Sequence, residues 1–134
     1  MTPLTIDKLN VGQETFIESC PDNCEYAVVF EDDGTTGYFY ALERPENSEM
    51  KILDAVHIYN VVKVTDKHIP SEVKIFWNKD LTKSALMINE YCHAIMDFNN
   101  KKGLSRTGFP KPGQTWASEQ RILTEAELDN FYKE

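Results

Sequence analysis

The chain has 134 residues, 41% of them hydrophobic and 27% charged, with a formal net charge of −8. That size and balance fit one globular domain spanning residues 1–134, able to bury a core without a disulfide or metal staple, and they exclude a disordered chain. The excess of acid argues against nucleic acid or an anionic membrane as partner, because phosphate binding rests on Lys and Arg.

Thr15 to Ser19 reads as a short strand, ended by the turn-like Cys20-Pro21-Asp22-Asn23-Cys24. In EYAVVFEDDGTTGYFYALE, Tyr26, Val28 and Phe30 alternate with Ala27, Val29 and Glu31, and Tyr38, Tyr40 and Leu42 alternate with Phe39, Ala41 and Glu43. Period-two runs of β-branched and aromatic residues fit strands. The intervening Asp32 to Gly37 is rich in turn formers, so the segment predicts a β-hairpin with a loop longer than two residues. Pro45 to Ser48 breaks the chain.

ILDAVHIYNVVKV fits two periods. As a helix it would place Lys63 among Ile52, Val56 and Tyr59. As a strand it lines up Val56, Ile58, Val62 and Val64, and its β-branched content favours strand with a bend near Asn60. Val73 to Trp77 and Leu86 to Asn89 form a second meander around Asn78 to Lys83. His93 to Phe98 either continues the sheet or starts a helix, and Asn99 to Gly103 closes it. Leu104 to Ser118, with two prolines and two glycines, shows no period and reads as an irregular surface loop. Thr124 followed by Glu127 has capping-box spacing, and Leu128, Phe131 and Tyr132 give an apolar stripe, so a C-terminal helix of about ten residues packs on the sheet. The expected fold is α+β: six or seven mostly antiparallel strands, as a sandwich or half-barrel, with a C-terminal helix.

No apolar run approaches the roughly 20 residues that span a bilayer, and MTPLTIDKLN lacks the features of a secretory signal. Three cysteines, an odd number, give no disulfide framework. The expected location is the reducing cytoplasm. Cys20 and Cys24 sit either in a turn that happens to hold two thiols or in a conditional disulfide, and no spacing supports a metal site. HExxH, a phosphate-binding glycine loop and GxSxG are all missing, so no residue is assigned as catalytic and no cofactor or metal is expected.

Two clusters remain. The first is charge: residues 1–60 hold 12 acids and 3 bases, a balance of −9, whereas residues 61–134 hold 10 acids and 11 bases. A solvated surface explains this, and so does an acidic face for a basic partner, made of Glu31, Asp32, Asp33, Glu43, Glu46 and Glu49. The second is HAIMDFNNKKGLSRTGFP, where His93, Asp97 and Arg106 either pin a loop through an Asp–Arg pair or line a ligand pocket. Asp54 and Asn60 lie in apolar runs, so each faces solvent or joins a polar network.

EYAVVFEDDGTTGYFYALE, ILDAVHIYNV and the run from His93 through DFNNKKGLSRTGFP to Trp116 resemble an uncharacterised bacterial domain-of-unknown-function family, number 2251, over roughly residues 25 to 116. The resemblance implies a bacterial, intracellular protein and supplies no activity. The leading functional expectation is an acidic protein-binding module, of the immunity type that inhibits a basic toxin. The alternative is a small-ligand-binding protein or enzyme with a pocket near Asp97 and Arg106. Oligomeric state is not legible.

Overall fold

Period-two patterning governs most of the chain, and the computed structural model, which describes residues 2–44, 49–111, 116 and 120–133, turns it into nine strands and one helix among those residues. In chain order the strands are β1 (Thr5–Leu9), β2 (Thr15–Ser19), β3 (Tyr26–Asp32), β4 (Thr36–Glu43), β5 (Lys51–Asn60), β6 (Ser71–Trp77), β7 (Lys83–Ile88), β8 (Tyr91–Asp97) and β9 (Lys102–Ser105). The helix α1 spans Glu125–Tyr132. They form a five-stranded sheet ordered β1-β6-β7-β8-β9 and a four-stranded sheet ordered β2-β3-β4-β5, every neighbour antiparallel. The architecture is therefore α+β and mostly antiparallel, as expected, with more strands than the six or seven read from the sequence. The additions are β1 and β9, and β9 claims Leu104 and Ser105 from the stretch read as irregular.

The sheets pack face to face. Val28, Phe30, Phe39, Ala41, Val56 and Ile58 of the four-stranded sheet meet Val73, Ile75, Trp77, Leu86, Ala94 and Met96 of the other in one buried cluster. Phe98 stacks on Tyr26 at 4.3 Å between ring centroids, with Trp77 and Trp116 on its other sides. The alternation in the β3–β4 hairpin places Val28, Phe30, Phe39 and Ala41 inward, as strand geometry requires.

β5 resolves the two-period segment. Val56 and Ile58 are buried as strand residues, and the chain leaves the sheet after Asn60 in a 3-10 turn, Val61–Lys63. Val62 is consequently 82% exposed, correcting the expectation that it and Val64 would extend the inward row. His93 to Asp97 is strand, with a register shift against β7 that inserts one extra residue near His93.

Helix α1 forms a third layer. The Thr124 hydroxyl accepts from the Glu127 N–H at 3.3 Å, so the N-cap read from the sequence is present. Phe131, with Leu123 and Leu128, covers Phe76, Ala85, Met87, Cys92, Ile95 and Leu104 on the outer face of the five-stranded sheet. Among the described residues no helix is long and apolar enough to cross a membrane.

The buried pair Asp54 and Arg121 seals one side of the sandwich. Arg121 Nη1 and Nη2 donate to the two oxygens of Asp54 at 2.5 and 2.8 Å, Nη1 also to Gly103 O at 2.9 Å, and Nε to Pro110 O at 2.9 Å. Gly103 is glycine because a Cβ there would sit 2.1 Å from Asp54 Oδ2. Asp54 thus belongs to a network that joins β5, β9 and the segment before α1.

Candidate functional site

The outer face of the four-stranded sheet has no third layer among the described residues. Register sets its surface rows: Phe16 lies opposite Glu31, and Glu31 opposite Tyr38; Glu18 lies opposite Val29, and Val29 opposite Tyr40; Ala27 lies opposite Leu42, and Leu42 opposite Ile52. Side chains two residues apart share a face, so these strands carry a second apolar surface outside the core. Ala27, Val29 and Leu42 are buried there beneath Cys20, Tyr40 and Met50. Phe16 and Ile52 stand at the sides, 66% and 60% exposed.

The result is a groove of about 440 Å³ lined by Phe16, Glu18, Val29, Glu31, Tyr40, Leu42, Met50 and Ile52. Its floor and walls are apolar and its charged members are both acids. Tyr40 donates its hydroxyl to Glu31 at 3.1 Å. Burial, with that carboxylate, pushes the Tyr40 hydroxyl up to about 12, so it stays a donor. An aromatic strip continues sideways: Tyr40 to Tyr38 at 6.1 Å, Tyr38 to His57 at 5.6 Å, His57 to Phe109 at 5.8 Å. The His57 ring nitrogens lie 3.2 Å from Thr107 Oγ1 and 2.9 Å from the Asn60 side-chain oxygen, so Asn60 also belongs to a polar network.

Next to the groove, and sharing Phe16 and Glu31 with it, is a recess of about 320 Å³ lined also by Glu14, Thr15, Asp32 and Asp33. Asp33 closes the hairpin, accepting from the N–H groups of Thr36 and Thr35 at 2.8 and 2.9 Å, which hold its carboxyl below the usual range. Gly34 supplies the turn's positive φ of 94°. Asp32 is turned inward, 1% exposed, and accepts from Gly12 N–H and Gly34 N–H at 2.8 Å and from the Tyr59 hydroxyl at 2.6 Å. Its carboxylate organises the loop between β1 and β2 and is not part of the outer surface. Glu31 and Glu43 are half-buried, Asp33 and Glu49 are exposed, and Glu46 lies outside the described residues. Sequence reasoning missed Phe16, Glu18, Met50 and Ile52.

The second cluster disperses. Asp97 accepts from the backbone and side-chain N–H groups of Asn100 at 3.1 and 2.8 Å. Arg106 donates to Glu125 at 3.1 Å and to Cys92 O at 3.0 Å, and its guanidinium lies 4.7 Å from the centre of the Tyr91 ring. Arg106 therefore pins α1 rather than Asp97. His93 lines a separate cavity of about 420 Å³ at one end of the sandwich, with Val11, Tyr59, Ile69, Ile88 and Asn89, and neither Asp97 nor Arg106 is in its wall. The His93 ring meets Tyr91 edge-on at 5.0 Å and makes no hydrogen bond to the described residues. Burial, reinforced by Arg106, brings it down to about 4.

The three cysteines are free thiols. Burial pushes the Cys92 thiol up to about 11 and raises that of Cys20, which leaves both weak nucleophiles. Among the described residues no three His, Cys, Asp or Glu side chains gather as metal ligands.

An uncharacterized protein of Haemophilus influenzae (strain ATCC 51907 / DSM 11121 / KW20 / Rd) is 38% identical over 104 residues, which are 76% of this chain and 64% of that protein, so the chain spans less than two thirds of its relative's length. No solved structure matches. The profile of a family described as "Uncharacterized protein conserved in bacteria (DUF2251)" matches residues 9–132, from the end of β1 to the end of α1, and the chain belongs to that family.

Proposed function

We propose that the chain is a protein-binding module that receives a basic partner on the outer face of the four-stranded sheet. One observation carries this reading. An apolar groove with Phe16 and Ile52 largely exposed lies beside an acidic recess, on a sheet whose counterpart has the same kind of surface covered by α1. Contiguous exposed apolar surface rimmed by charge marks interaction sites. Acid around an apolar centre speeds encounter with a cationic protein and rejects acidic ones. An inhibitor of a basic toxin, of the immunity type, is the partner relationship that this charge pattern suits.

The test compares the wild-type chain with Phe16→Ser/Ile52→Ser as bait in lysate of the native bacterium. A basic protein retained by the first and lost by the second supports the reading. A partner held equally by both removes this face from consideration.

A second reading attaches to the His93 cavity. Its size suits a small molecule, and a neutral imidazole with no hydrogen-bond partner among the described residues offers both a donor and an acceptor. Imidazole resonances of His93 that do not move when indole or benzoate is titrated in at millimolar concentration would count against it.

A further inference from the structure

The two lateral sides of the sandwich are finished differently. On one side lie the edges of β5 and β9, and both are occupied. His57 N–H donates to Phe109 O at 2.7 Å, and the Thr107 hydroxyl to His57 O at 3.0 Å. Ser105 bridges to Ile122, donating to Arg121 O and accepting from Leu123 N–H, each at 2.9 Å. On the other side lie β1 and β2, and among the described residues each pairs with one strand only, β6 and β3 respectively.

Free edges are ordinarily blunted by lysine, proline or a bulge. β1 carries Asp7 and Lys8. β2 reads Thr-Phe-Ile-Glu-Ser, with no basic residue, no proline and no register shift against β3. Alternation puts Glu14, Phe16 and Glu18 on its outer side in the order acid, aromatic, acid, bordering the recess and the groove. That order also decides what the edge will accept. A second copy paired antiparallel about Phe16 would set Glu14 opposite Glu18, and like charges directly opposite each other are destabilising. The chain's acidic half as a whole would repel its own copy.

Resting on the outer-face reading above, we infer that the partner docks by adding an extended segment to the free edge of β2, with alternate side chains in the order basic, apolar, basic. One basic residue pairs across the strands with Glu14, and the other with Glu18, where it displaces the solvent-exposed Arg44 guanidinium that lies 3.5 Å from the Glu18 carboxylate. The apolar residue lies against Phe16, where it extends the floor of the groove. Main-chain hydrogen bonds supply affinity and the alternate side chains supply specificity.

The probe is the capped peptide Thr-Lys-Thr-Val-Thr-Lys-Thr, titrated into the full ¹⁵N-labelled chain at low salt. The expected result is shifted and exchange-protected amides in Thr15–Ser19. Glutamate in place of both peptide lysines, or Phe16→Ser in the protein, should weaken binding about tenfold or more. The same peptide N-methylated on alternate nitrogens keeps its side chains but cannot pair. If it binds as well as its parent, strand addition is overturned while the outer-face reading stands. Equal binding by the glutamate peptide overturns the charge pattern. No binding by the parent at millimolar concentration overturns the inference, and the outer-face reading then depends on the bait comparison with Phe16→Ser/Ile52→Ser, which makes no use of this peptide.

Discussion

Each sheet carries apolar residues on both faces, and the chain treats the two outer faces in opposite ways. Phe76, Met87, Ile95 and Leu104 lie beneath α1, anchored by Phe131 at 1% exposure. Val29, Leu42, Met50 and Ile52 line an open groove with two glutamates. Hydrophobic surface of this kind is ordinarily buried within the same chain or against another. The covered face therefore contributes to stability, whereas the open one is available for association. The lateral sides repeat the contrast, with Arg121 and Asp54 behind the sealed edge and β2 along the free one.

The sealed side should be the most costly to damage. Arg121→Ala leaves Asp54 buried with its charge uncompensated, a change that ordinarily costs about 3–5 kcal/mol. A large drop in urea midpoint is expected. The double change Arg121→Met/Asp54→Leu removes both charges and should recover most of it. A small loss for Arg121→Ala alone would mean that the two sides are not energetically different. Next comes the covered face: Phe131→Ala should cost about 3 kcal/mol, the low end for Phe truncation in a core. It should also expose apolar surface that binds a hydrophobic dye, making the two outer faces alike.

A third effect is confined to acid and absent at neutral pH. His93 is held down to about 4 by burial and Arg106, below the roughly 6.5 of an unperturbed histidine. The unfolded chain therefore binds a proton that the folded chain refuses, so stability is present in full above about pH 6.5 and falls as pH drops toward 4. His93→Gln should flatten that part of the stability curve. An unchanged curve would mean that the cavity wall admits water freely at this position.

Most strands were legible because burial on one face imposes period two and burial on both gives a short apolar run between turn signals, and α1 because its cap and stripe are local signals. The missed strands lack those signals. In β1 only Leu9 is buried, so no alternation marks it. β9 contains Gly103, which reads as a turn residue but is there because Asp54 leaves no room for a Cβ. Asp54 announced a network by lying in an apolar run, yet its partner is 67 residues away and nothing local names it. The acidic half was visible in composition, but which acids face outward was not. Asp32 and Asp33 are neighbours, and one, itself buried, organises the loop between β1 and β2 while the other closes an exposed turn. The groove draws its sides from β2 and the start of β5, so no single segment displays it.

The smallest effect on stability belongs to the open face and is the sharpest use of the comparison. Phe16 and Ile52 are mostly exposed, so Phe16→Ser and Ile52→Ser remove little buried area and should each shift unfolding by no more than about 0.5 kcal/mol. Equivalent truncation on the covered face costs several times that. A residue whose loss leaves folding unchanged but releases a partner acts in binding, because a merely structural side chain would move both readouts together. If Phe16→Ser instead lowered the urea midpoint as far as Phe131→Ala does, Phe16 would be holding the sheet together. The open face would then be an outlying part of the core, and its exposed aromatic and aliphatic side chains would need no partner to explain them.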